Sequence, residues 1–343
     1  MHQLENTLFI MTQGAYLRLD HDTLRVDIEG ETKLQVPLHH LSGIVCFGNV
    51  AVSPFLIHEC AEQGLSITWL SNSGRFKARM VGPTKGNVLL RCVQHETASD
   101  PEKSLNLAKN IIAGKIKNTR QIMLRAARET SDSEDQRMLH DTSESLASAL
   151  NGIPQCNEIE TLRGIEGDAA RIYFGTFDRM VLEDRQSFRM NGRSKRPPLD
   201  RMNALLSFLY TLLVGDVVGA LEGVGLDPQI GFLHVMRPGR PALALDMMEE
   251  FRAVLADRLA LTLINQRQIQ AKHFEEKTGG AVLLNEEGRK TLVVAYQKRK
   301  QDEIHHPVLD KKAPFALLPH LQARLLARYL RGDTEEYIPF LYR

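Results

Sequence analysis

The chain has 343 residues, 43% of them hydrophobic, and 43 Lys and Arg against 42 Asp and Glu give a formal net charge of +1. At roughly 150 residues per domain this length suits two units with cores of their own, and the balanced charge excludes a polyanion-binding character spread over the whole chain. The four cysteines, Cys46, Cys60, Cys92 and Cys156, stand far apart without a CxxC pair, which argues against a zinc framework or a disulfide scaffold and fits a reducing cytoplasm.

The opening stretch MHQLENTLFIMTQGAYLRL has no basic segment leading into a long apolar run, so no export signal is expected. From 8 to 93 the sequence reads as short strands, TLFIM, YLRL, TLRVDI, KLQVP and SGIVCF, punctuated by turns near Gly30 and Gly48. One helix interrupts them: Ser53 suits the N-cap, Pro54 the first helical position and Gly64 the stop of PFLIHECAEQ. SITWLS and GRFKARMV return to strand across a turn at Asn72, Ser73 and Gly74. The stretch 95–104, rich in Glu, Ser, Asp and Pro and without apolar periodicity, reads as a linker. The predicted organisation is therefore α+β: a small β-rich domain over 1–95, a linker over 96–104, and a larger, predominantly α-helical domain over 105–343.

Within that second domain helical character marks 105–129, 157–180, 201–222, 241–270 and 288–303. The polar stretch 130–144 reads as a loop or a frayed helix end, and 188–198 as a basic, proline-containing loop. The segment 204–221 is long and apolar enough to suggest a membrane span, but it holds Asp216 and two glycines. A charge at mid-bilayer costs roughly 3 kcal/mol, so a buried core helix is expected and no membrane partner.

The densest chemistry lies in GVGLDPQIGFLHVMRPGRPALALDMMEEF, which ends at Phe251. Pro241 suits the first turn of a helix on which Asp246 and Glu249, three residues apart, share a face amid Leu243, Leu245, Met247, Met248 and Phe251. Unpaired carboxylates among apolar residues are costly, and a cation is one way to neutralise them. Acids at this spacing also describe a solvated helix face, and His234 equally describes a hydrogen-bonded core histidine. Glu166, in TLRGIEGDAARIYFG, borders an apolar stripe of Leu162, Ile165, Ala169 and Ile172; a surface ion pair with Arg163 or Arg171 is the alternative. The pairs His39-His40 and His305-His306 lack acids or cysteines at ligand spacing and read as surface or turn residues. Neither GxxxxGK[ST] nor GxSxG occurs, so nothing supports ATP use or acyl chemistry.

The segments RGIEGDAARIYFGTF, GLDPQIGFLH and ALALDMMEEFR, in this order and spacing, closely resemble three signature segments of the CRISPR-associated integrase family, the large subunit of the spacer-acquisition complex. The resemblance spans the whole chain. It implies a divalent metal, Mg2+ or Mn2+, held by Glu166, His234 and Glu249. Many relatives carry Asp at the third position, which leaves Asp246 as a supporting or alternate ligand. The resemblance further implies a metal-dependent endonuclease and integrase that joins a prespacer 3′-hydroxyl to the CRISPR repeat by transesterification. It also implies a homodimer paired through residues 1–95 and a small partner subunit. A general metal-dependent nuclease for branched or single-stranded nucleic acid, and a non-catalytic DNA-binding scaffold, are the competing readings. For the DNA surface the candidates are Arg237 and Arg240 beside His234, Lys115 and Lys117 on a basic helix, and Arg193 and Lys195 in the basic loop. No aromatic ladder interleaves them, so contacts to backbone and shape are expected over base stacking.

Overall fold

A computed structural model describes residues 6–72, 76–80, 82–83, 88–190 and 192–342. The chain divides between Gly86 and Asn87 into two compact units. The first comprises β1 (Asn6–Ile10), β2 (Tyr16–Asp20), β3 (Thr23–Ile28), β4 (Glu31–Pro37), β5 (Leu41–Phe47), β6 (Ala51–Val52), α1 (Pro54–Gln63), β7 (Ser66–Leu70) and β8 (Phe76–Met80). They form two four-stranded sheets, ordered β1-β5-β7-β8 and β4-β3-β2-β6. Strand β3 shows the period of two that selects this structure, burying Leu24 and Val26 while Arg25 between them stays partly exposed. These join Leu17, Ile44, Cys46, Leu56, Cys60 and Ile67 in one core. Helix α1 has the caps its sequence announces: Ser53 Oγ accepts from the Leu56 N–H at 3.3 Å, and Gly64 closes the helix at φ 77°. Gly48 turns at φ 71°, a conformation that residues with a Cβ rarely adopt, and a Cβ there would also displace the Asn72 and Gln13 side chains. Of the turn expected next, Ser73 and Gly74 lie outside the described residues.

The second unit is mostly helical: α2 (Val88–Ser99), α3 (Pro101–Glu129), α4 (Ser133–Gly152), α5 (Ile159–Gly175), α6 (Arg201–Val224), α7 (Ala242–Phe251) and α8 (Arg258–Asn265). The hairpin strands β9 (Phe274–Glu276) and β10 (Val282–Leu284) follow, then α9 (Glu286–Gln301), a second hairpin of β11 (Glu303–His306) and β12 (Lys311–Pro314), and α10 (Leu318–Leu330). A β-rich region followed by a larger helical one is the α+β organisation expected.

Three expectations need correction. Residues 96–104 are not a linker: Asp100 Oδ1 accepts from the Glu102 and Lys103 N–H groups at 3.0 and 3.1 Å, so Asp-Pro starts α3 directly after α2. Capping residues carry the same composition as loops, and that similarity misplaced the boundary. Most of 130–144 is likewise helical, because Asp132 caps α4 through the Asp135 N–H at 2.9 Å. The stretch 241–270 is helical only from Ala242 to Asn265 and is not uniformly α: after α7 the backbone widens into a π-helical turn over Arg252–Asp257, and α8 ends at Asn265.

Helix α6 is a core element, with Leu205, Leu206, Leu209, Leu213 and Leu221 fully buried. Its acid Asp216 accepts from Tyr296 Oη at 2.6 Å and Lys300 Nζ at 2.8 Å, both on α9, so the charge ties two helices together. One histidine of the second pair also departs from expectation. His306 is buried, with Nε2 3.0 Å from Gln322 Oε1 and its ring against Phe340, whereas His305 pairs outside with Asp310.

Candidate metal and nucleic-acid site

Helix α7 carries three buried acids, Asp246, Glu249 and Glu250, and the fold gives each a different set of partners. Asp246 Oδ2 accepts from the backbone N–H groups of Phe232 and Leu233 at 2.6 and 3.0 Å. Its Oδ1 takes the His234 N–H at 2.9 Å and His234 Nδ1 at 2.7 Å. Four donors fill both oxygens, so in this arrangement Asp246 orients His234. An ionised Asp246 can only accept, so its contact with Nδ1 fixes the ring through a donated N–H and leaves Nε2 as the other ring nitrogen. Gly231 permits this approach, since a Cβ there would meet Asp246 Oδ2 at 2.7 Å and the Ala242 backbone at 2.7 Å.

The segment bearing His234 is clamped from several helices. Gln94 of α2, fully buried, donates to the Asp227 and Ile230 carbonyls at 2.8 Å and accepts from the Asp227 N–H at 2.9 Å. Ser104 of α3 donates to the Phe232 carbonyl at 3.0 Å, and Arg163 Nε of α5 to that of Leu233 at 2.9 Å. The Pro228 carbonyl in turn accepts from the Leu243 and Ala244 N–H groups at the start of α7. Pro241 precedes that helix as its cap rather than lying in its first turn. Asp246→Asn would turn an NH2 toward two existing donors in either orientation, and each unsatisfied donor costs about 1 kcal/mol or more. The expected result is a loss of about 2 kcal/mol in urea denaturation together with a released His234 ring, read from NMR relaxation of its ring resonances.

Glu249 faces cations. Arg252 Nη1 donates to Oε1 at 2.6 Å, and the Lys115 ammonium lies 2.8 Å from Oε2. Burial works to raise its pKa, but the charges of Arg252 and Lys115 outweigh it and hold the carboxyl far below the usual range. Lys115 also contacts Glu166 of α5, so one ammonium bridges the two acids. Glu166 is therefore paired with neither Arg163, which reaches Leu233 and Glu160, nor Arg171, which reaches Asp168. Among the described residues no three His, Cys, Asp or Glu side chains enclose an ion as they stand. What fits a cation is the position the ammonium takes, because buried Glu249 Oε2 has that charge beside it yet makes no hydrogen bond. Two carboxylates and an imidazole, without a thiolate, form a donor set for a hard divalent ion.

Of the basic residues expected on DNA, two face inward. Lys115 belongs to the acid pair, and Arg193 hydrogen-bonds Asn203 Oδ1 at 2.5 Å and stacks over Tyr210 at 5.2 Å. Lys117, Lys195 and Arg237 are exposed, and Arg240 half so. Although exposed, Lys195 has its pKa lowered by partial desolvation of its ammonium and then by the charges of Arg252 and Arg193. Behind Arg252, which lies over the Tyr210 ring at 4.3 Å, buried Asp257 accepts from Tyr173 and Tyr210 at 2.9 and 2.6 Å. Sequence reasoning missed Arg252 as a site residue, although it stands one turn beyond Glu249. The Tyr173, Tyr210 and Asp257 cluster had no signal beyond helical spacing.

The family model for the CRISPR-associated protein Cas1 matches residues 8–298. This chain belongs to the Cas1 family. A CRISPR-associated endonuclease Cas1 of Moorella thermoacetica is 57% identical over 343 residues, 100% of either chain. One from Chlorobaculum tepidum is 48% identical over 98% of each. Among solved structures, a Cas1 protein from Thermotoga maritima matches with TM-score 0.82 at 25% identity, covering 95% of this chain and 97% of its own. A casposase bound to integration product has the same fold, with TM-score 0.82 at 21% identity over 96% of this chain and 92% of that one.

Proposed function

We propose that this chain is a divalent-metal-dependent DNA endonuclease and integrase of CRISPR spacer acquisition, with Glu166, His234 and Glu249 as the ligands of Mg2+ or Mn2+. The observation that carries the reading is the convergence of Glu166 from α5 and Glu249 from α7 on one cation, while Asp246 fixes the neighbouring imidazole by its Nδ1. Family membership supplies the biological setting.

When bound, such a metal polarises a phosphoryl oxygen and eases ionisation of a hydroxyl. The chain's own residues do the rest. Arg252 keeps Glu249 ionised and fixed, and the clamps from Gln94, Ser104 and Arg163 hold His234 in place. Exposed Arg237, Lys117 and Lys195 and half-exposed Arg240 supply charge for DNA phosphates. In strand transfer the prespacer 3′-hydroxyl forms a new ester at a phosphorus of the repeat; the repeat's 3′-oxygen leaves and takes up a proton. With water as nucleophile the same displacement is hydrolysis. Insertion requires two strand transfers, and the described residues of each chain offer one such site, so the working unit is a homodimer or larger, bridged by the small partner subunit in the cytoplasm.

A fluorescent prespacer incubated with a supercoiled repeat plasmid, with and without Mn2+, tests the reading. Mn2+-dependent joined products are expected. Cleavage without joining would favour a general nuclease, and binding without either would favour a scaffold; each outcome overturns the proposal.

A further inference from the structure

Lys115 is the residue whose placement the expected DNA contacts least explain. It lies on α3 with its side chain only 13% exposed, between Glu166 and Glu249. A lysine among acids is ordinarily a permanent ion pair, but one feature distinguishes this contact. Glu249 Oε2 is buried without a hydrogen bond although the ammonium stands 2.8 Å away, so the carboxylate is neutralised but not saturated. The ammonium thus occupies the space between two acids that a divalent ion would need, and two cations cannot share it.

We propose that Lys115 is a displaceable counter-ion that makes metal uptake conditional on DNA. In the DNA-free chain it neutralises Glu166 and Glu249. Metal entry requires it to leave, and a partly buried ammonium needs another anion to receive it. Among the described residues around it, both acids are then engaged by the metal, Asp246 is filled by four donors, buried Glu250 is taken up by Tyr337, Gln322 and the Phe340 N–H, and Arg252 and Lys195 are like charges. A DNA phosphate supplies that anion, and lysine binds phosphate well as a point charge. Metal and DNA then assist each other reciprocally through one side chain. An idle chain without its substrate follows. This inference rests on the metal reading given above.

The test is calorimetric titration of Mn2+ into the full chain, alone and with a duplex whose 3′ ends are dideoxy-terminated, so that no strand transfer follows, and whose length is checked after the titration to exclude hydrolysis. For the wild type, DNA is expected to tighten Mn2+ binding by about tenfold or more, within the usual range of coupled sites. Lys115→Met should bind Mn2+ tightly without DNA and gain little from it. Should that variant fold poorly, Lys115→Gln with Mn2+-dependent thermal denaturation gives the same comparison, with a larger metal-induced rise in Tm than the wild type shows. Equal Mn2+ affinity of wild type and variant without DNA, or full coupling retained in the variant, overturns the role of Lys115 while leaving the metal site intact. Absence of Mn2+ binding by both proteins, with and without DNA, overturns the metal reading and this inference together.

Discussion

Glu166→Gln and Glu249→Gln are both expected to abolish Mn2+-dependent strand transfer, by about a thousandfold or more, since several kcal/mol of phosphoryl activation depend on the ligands. Their effects on folding should differ, which separates chemistry from structure. Glu249 is 4% exposed and faces both Arg252 and Lys115, so neutralising it leaves buried positive charge without its partner. Breaking such a pair costs about 3–5 kcal/mol. Glu166 is 29% exposed, and Lys115 keeps Glu249 when it is lost, so solvent screening limits the cost to about 1 kcal/mol or less. Thermal denaturation beside the joining assay gives both numbers. An active Glu166→Gln protein would remove that residue from the ligand set. Inactivity that merely follows a lost cooperative transition would make Glu166 a structural residue.

Much of this site was legible before any coordinates, but unevenly. The helix bearing Asp246 and Glu249 could be read from a three-residue spacing amid apolar neighbours, whereas the close approach that Gly231 permits is visible only in the fold. Spacing could not divide the labour between the two acids. Asp246 is saturated by the backbone of the preceding segment and Glu249 is left to cations, a difference of tertiary placement alone. Lys115 and Arg193 read as DNA-surface candidates because local sequence does not report which face of α3, or which side of a loop, meets the core. The mistaken linker has a cause of the same kind. Asp100 and Pro101 belong to loop vocabulary, yet they form the start of α3, and the adjoining α2 contributes the Gln94 clamp on the His234 segment. The β-rich unit was read more securely, because alternation in TLRVDI and the caps of α1 are local signals that packing does not override.

The third acid of α7 should make stability depend on pH. Glu250 is fully buried and its partners are neutral: Tyr337 Oη at 2.5 Å, Gln322 Nε2 at 2.9 Å and the Phe340 N–H at 2.8 Å. Burial outweighs these hydrogen bonds and pushes the carboxyl from its ordinary 4.5 up to about 7. The folded chain therefore holds a proton that the unfolded chain releases between these values, and stability falls as pH rises through that window. The contribution is complete below about 4.5 and lost above about 7, and a shift of this size corresponds to about 3 kcal/mol. Glu250→Gln mimics the protonated acid: its carbonyl can accept from Gln322 and Phe340, and its NH2 can donate to Tyr337 Oη, whose proton turns toward Met247 Sδ at 3.6 Å. Urea midpoints of wild type and variant, compared from pH 5 to pH 8.5, cancel every other titrating group. The variant is expected to match or trail the wild type at the acid end and to exceed it by up to about 3 kcal/mol at the alkaline end. The gain has a structural address. Glu250 and Asn118, which donates to the Glu250 and Phe340 carbonyls at 2.8 Å, together pin the C-terminal segment against α3 and α7. A stability difference that stays constant across this range would mean that Glu250 is ionised in the folded chain and that a charge missing from this pocket compensates it.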